Sequence, residues 1–158
     1  MVWRLSLVAV VGVVVIACGG SDEPVEDPAD GGGGAAATEA PDPCLLAGDA
    51  VLEAYFGEVF PGEPGEAGPI ATCRWRDANA NSLLIQTATD FPLTKPDPCD
   101  GCITLPYADD GYASESPFQS SATFVVGSGW YSVTTTGFGD DAASIASLGE
   151  TVLENANA

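Results

Sequence analysis

Histidine is absent from this 158-residue chain, and 4 basic residues stand against 23 acidic ones, a formal net charge of −19. Without histidine there is no Ser-His-Asp triad, no imidazole proton shuttle and no His-type zinc site. Without clustered lysine and arginine, the electrostatic footprint that nucleic acid or anionic lipid headgroups require is missing too. Long hydrophobic runs are also lacking. The longest, Leu5 to Ile16, falls short of the about 20 residues that a membrane-spanning helix needs. The length fits one ordinary domain plus targeting sequence.

What is present begins at the N-terminus. A lone positive charge at Arg4, the apolar run, and then Ala17, Cys18, Gly19 and Gly20 have the layout of a cleaved secretory signal. Val15-Ile16-Ala17-Cys18 resembles the bacterial lipobox, in which aliphatic and small residues ahead of a cysteine direct its lipidation. The resemblance implies that residues 1–17 are a lipoprotein signal peptide and that Cys18 becomes the lipidated N-terminus. Cysteine arithmetic agrees: five cysteines leave one over, and setting Cys18 aside leaves four, enough for two disulfides. Each buried CH₂ of an acyl chain contributes about 0.8 kcal/mol, so a multiply acylated cysteine anchors stably where one chain does not. The expected location is therefore the bacterial cell envelope, on the extracytoplasmic side. The membrane is the outer one or the outer face of the plasma membrane, according to the host.

Residues 18–42 follow as a stalk. Seven acids, no base and the tract Gly31 to Ala37 leave nothing to build a core from. A flexible chain of this length spans roughly 25 to 30 Å, and like-charge repulsion extends it further.

Residues 43–158 carry 3 basic and 16 acidic side chains and are long enough to bury a core. Pro43 to Phe56 has near-helical spacing of Leu45, Leu52, Tyr55 and Phe56 and stops at Gly57. Pro61 to Pro69 holds too many prolines and glycines for a regular element and is expected to be a loop. Ala71 to Arg76 and Leu83 to Thr89 read as a hairpin across the polar turn Asp77 to Asn81. Ile103 to Leu105 and Tyr112 to Ser114 are short edge strands in a proline-rich insert. Ala122 to Val126 and Trp130 to Thr136 are β-branched and aromatic, joined by Gly127-Ser128-Gly129. Asp140 and Asp141 then start a helix with Ile145, Leu148 and Val152 on one face, ending near Ala156. The expected fold is α+β. It is a two-layer sandwich, an antiparallel sheet of four to five strands with N- and C-terminal helices on one face.

Asp42-Pro43-Cys44-Leu45-Leu46 after a lipobox and stalk, a short helix ending at Gly57, Cys73-Arg74-Trp75 opening a strand, and an alanine-rich C-terminal helix together resemble the DUF3558 family. These are small secreted bacterial lipoproteins built on a domain of unknown function. The resemblance covers about two thirds of the mature chain, and it implies a disulfide between Cys44 and Cys73. The insert bearing Cys99 and Cys102 and the strong acidity depart from the family pattern.

Spacing alone allows three pairings of the four cysteines. Cys99-Asp100-Gly101-Cys102 has the C-x-x-C spacing of thiol oxidoreductases, but Ile103-Thr104-Leu105-Pro106 does not continue as the helix that lowers the first thiol's pKa. A structural clip is the expectation, and an extracytoplasmic thiol-disulfide redox protein is the alternative. Asp77, Asn79 and Asn81 begin like a calcium loop, yet Ser82 and Ala88 stand where glycine and glutamate are required. Arg74 and Arg76 share a strand face; neutralising nearby acids in a domain of net charge −13 is the expectation, and clamping a carboxylate or phosphate is the alternative. Of Trp130 and Tyr131, strand alternation turns one outward, where it can anchor a ligand. No nucleophile, base or metal set converges and no cofactor is implied. The expected function is a membrane-tethered, non-catalytic binding module for an unknown small ligand or envelope protein.

Overall fold

The computed structural model describes residues 39–158. The expected signal peptide, Cys18 and the stalk up to residue 38 lie outside the described residues. The elements run as a 3₁₀ turn (Pro43–Leu45), α1 (Gly48–Phe56), β1 (Glu63–Ala67), β2 (Ile70–Arg76), β3 (Ser82–Thr89), β4 (Ile103–Thr104), β5 (Asp110–Glu115), β6 (Gln119–Val126), β7 (Gly129–Thr136) and α2 (Ala142–Ala156). All seven strands form one antiparallel open sheet in the order β1-β2-β3-β7-β6-β5-β4.

Strand alternation divides this sheet into two chemically different faces. On one face Cys73, Ile85, Val133, Ala122 and Ala113 lie in register across five strands, flanked by the row Trp75, Leu83, Thr135 and Ser120. These side chains are buried, and Leu46, Leu52, Ile145, Leu148 and Val152 from the helical segments complete the same core. α2 comes close enough to the sheet that a Cβ on Gly149 would stand 2.4 Å from the Tyr107 hydroxyl and 3.2 Å from the Phe124 ring. The Tyr107 hydroxyl donates to the Ala146 carbonyl (2.8 Å), and Asn155 Nδ2 donates to the Leu46 carbonyl (2.8 Å), so both ends of α2 are fastened. Asp141 caps α2 by accepting from the Ser144 N–H (2.7 Å).

Four expectations need correction. The single helix Pro43 to Phe56 is broken into a 3₁₀ turn and α1, because Gly48 takes a left-handed φ of 67° and Cys44 is tied to the sheet. The expected loop at Pro61 to Pro69 contains β1. Proline removes a ladder donor, so it is tolerated where the strand borders the sheet, and Pro64 sits on that edge opposite Cys73. With β1, the described residues hold seven strands rather than four to five. β5, expected as an edge, lies inside the sheet and only the two-residue β4 closes that side.

Two disulfides are present among the described residues. Cys44 joins Cys73 with a Cα–Cα distance of 5.0 Å, and Cys99 joins Cys102 at 5.5 Å. Such bonds persist in oxidising, extracytoplasmic compartments. Among the described residues no helix is long and apolar enough to cross a membrane.

Candidate binding face

Among the described residues no helix is packed on the second face of the sheet. Leu84, Thr134, Ser121 and Ser114 form one cross-strand row there with Arg74, and Gln86, Ser132 and Thr123 form the next with Thr72. Hydroxyl and amide groups dominate because every second residue of β3, β6 and β7 points away from the core.

One end of this face is nevertheless covered. The chain between β3 and β4 must pass β7, β6 and β5 to reach the far edge of the sheet. On the way the Phe91 ring meets Trp130 edge-on with centroids 5.1 Å apart, the Tyr112 hydroxyl donates to the Thr94 carbonyl (3.3 Å), and Lys95 pairs with Asp110. Asp110 is held below the usual carboxylate range, first by its hydrogen bond from Lys95. Trp130 does turn to the outer face as alternation requires, but Phe91 leaves it 8 % exposed. Tyr131 turns inward and stacks on Phe124, also 8 % exposed. Neither ring is displayed to solvent as an anchor.

The other end of the face is open. Arg74 and Arg76 are exposed on β2, opposite Leu84 and Ser82 of β3. Lys95–Asp110 is the sole ion pair among the described residues, so neither guanidinium is neutralised there. Beside Arg74 lies a groove of about 230 Å³ lined by residues 63–66 of β1 together with Thr72, Arg74 and Leu84. The contribution of β1 to this groove escaped the sequence analysis, since the prolines and glycines of that segment mask its pairing. The one signal for it was that Glu63 to Ala67 puts a single proline in a stretch otherwise free to pair, which suits an edge strand.

The remaining candidates have local structural partners. Asp77 accepts from the N–H groups of Asn79 (2.8 Å) and Asn81 (2.9 Å) and from Asn81 Nδ2 (2.8 Å), which closes the β2–β3 turn. Slight desolvation opposes these bonds, yet they hold its carboxyl below the usual range. Asp109 accepts from the Gly127 N–H (2.7 Å) and so pins the β6–β7 turn to the start of β5. Cys99 and Cys102 are half-buried and bonded to each other, and the chain continues as β4, with no helix N-terminus to stabilise a thiolate. Phe118, unremarked in the sequence, is the most exposed large apolar side chain among the described residues at 81 %, presented by a β5–β6 turn in which Ser116 and Gln119 exchange hydrogen bonds.

Comparison with family models, with curated proteins and with solved structures finds no match for this chain. The resemblance to DUF3558 lipoproteins therefore rests on the quoted residues themselves.

Proposed function

We propose that this protein is a lipid-tethered, non-catalytic lipoprotein of the bacterial cell envelope. Its domain binds a ligand on the uncovered face of the sheet, with Arg74 and Arg76 engaging a carboxylate or phosphate group. The observation that carries this reading is the state of the two arginines. They are exposed on a polar face without an ion-pair partner among the described residues, in a domain where carboxylates are plentiful. A guanidinium presents a planar fork of donors matched to such anions. The lipobox-like Val15 to Cys18 and the acidic stalk support the tether, and the two disulfides support the compartment. The resemblance to DUF3558 lipoproteins points the same way.

Tethering is tested by Cys18→Ser, which is expected to move the protein from the membrane fraction to the soluble one; unchanged partitioning would sink the anchor. Binding is tested by NMR titration of the protein with N-acetylalanine, a simple carboxylate. Saturable shifts at Arg74 and Arg76, lost in the Arg74→Gln/Arg76→Gln variant, are expected. Shifts that survive both substitutions would remove the arginines from the site.

A further inference from the structure

The groove beside Arg74 carries charges of both signs within reach of one small ligand. Glu63 on β1 is directly opposite Arg74 on β2, and Gly65 is directly opposite Thr72. Directly opposed residues have Cβ atoms about 4.5 to 5.5 Å apart, yet Glu63 and Arg74 are not ion-paired in this structure. Gly65 keeps the floor open, since a Cβ there would stand 2.9 Å from Thr72 Oγ1. Leu84, directly across from Arg74 on β3, supplies an apolar side.

A plain anion engages only half of this place. Glu63 stands directly opposite Arg74, and the folded segment 43–158 is strongly acidic, so a bare carboxylate meets repulsion as it approaches. A plain cation meets the guanidinium. A ligand bearing one charge of each sign satisfies both, with its carboxylate on Arg74 and its ammonium on Glu63. The groove, of about 230 Å³, has room for a free amino acid or a dipeptide.

We infer that the groove formed by Glu63, Gly65, Thr72, Arg74 and Leu84 is a binding site for a small zwitterion, an amino acid or dipeptide carrying a free ammonium and a free carboxylate. This inference rests on the proposal that Arg74 contacts the ligand.

The test is calorimetric titration of the detergent-purified full chain with three probes: alanyl-alanine, N-acetylalanine, which lacks the ammonium, and alanine amide, which lacks the carboxylate. Charge-assisted hydrogen bonds at both ends predict alanyl-alanine at least about tenfold tighter than either analogue. Glu63→Gln should lower alanyl-alanine to the level of N-acetylalanine, and Arg74→Gln to the level of alanine amide. Both side chains are exposed, so thermal melting should show both variants folded. N-acetylalanine binding as tightly as alanyl-alanine would overturn the zwitterion while leaving the arginine site standing. Alanine amide binding as tightly, binding that survives Arg74→Gln, or no binding of any probe would overturn both.

Discussion

The two disulfides close loops of very different length, and that difference fixes their relative worth. Cys44 and Cys73 are 29 residues apart, while Cys99 and Cys102 are 3 apart. In the chain-entropy treatment, cross-linking removes freedom from the unfolded chain in proportion to the logarithm of loop length. For the long loop this gives about 3.6 kcal/mol at 25 °C, and for the short one about 1.6 kcal/mol. The difference of about 2 kcal/mol is the firmer quantity, because the length-independent constant cancels. Burial widens it, since Cys73 is fully buried beside Trp75 whereas Cys99 and Cys102 lie half-buried in the crossover. The assay is urea unfolding of Cys44→Ala/Cys73→Ala and of Cys99→Ala/Cys102→Ala, followed by tryptophan fluorescence. With a slope of about 1.5 kcal/mol/M, the first variant should lose about 2.4 M in midpoint and the second about 1 M. The slope of the first should also rise, because its unfolded chain is released from a cross-link. Equal losses, or a larger loss for the short loop, would refute the argument that loop length sets the contribution.

Gly149→Ala should destabilise by about 1 to 3 kcal/mol despite alanine's better helix propensity, because the new methyl collides with Tyr107, Phe124 and Ala122; a stabilised variant in thermal melting would show that α2 sits further from the sheet. Asp141→Ala should cost about 1 kcal/mol through loss of the bond to the Ser144 N–H, and Asp141→Ser should recover most of it. Alkali should weaken the fold through Tyr55, whose pKa is pushed up to about 12 by burial first and then by the charge of Asp140. A raised folded-state pKa means that the unfolded chain ionises first, so this contribution is complete below about pH 10 and is lost as pH rises to about 12. Half-exposure screens it to about 1 kcal/mol. Tyr55→Phe should therefore flatten the fall in melting temperature over that interval, and an unchanged slope would contradict the assignment.

The elements that the sequence announced are those with strong local signals. β6 and β7 combine β-branched residues with a two-residue turn at Gly127-Ser128, where Gly127 takes a φ of 58°. α2 has a capping aspartate and an apolar stripe, and its expected end near Ala156 matches the observed Ala142–Ala156. β1 and the break before α1 were not legible, because each depends on a distant partner. β1 is a strand through pairing with β2, and Pro43–Leu45 stays apart from α1 because Cys44 is bonded to Cys73. The candidate site divides in the same way. Alternation placed Arg74 and Arg76 on one face, but their freedom from ion pairs and the groove beside them needed the register of β1 against β2.

By itself, then, the sequence determined the α+β class, the antiparallel hairpins, the helix at the C-terminus, the absence of histidine and the scarcity of basic side chains. These follow from local periodicity and from charge, which act over a few residues or over the whole composition. Tertiary structure alone decided which face of the sheet stayed uncovered and which aromatic rings were hidden. Trp130 and Tyr131 look alike in the chain, yet one is covered by Phe91 from the crossover and the other lies under the helices. Strand order forces that crossover over one end of the outer face, and strand order is a contest among long-range pairings that no short window of sequence records.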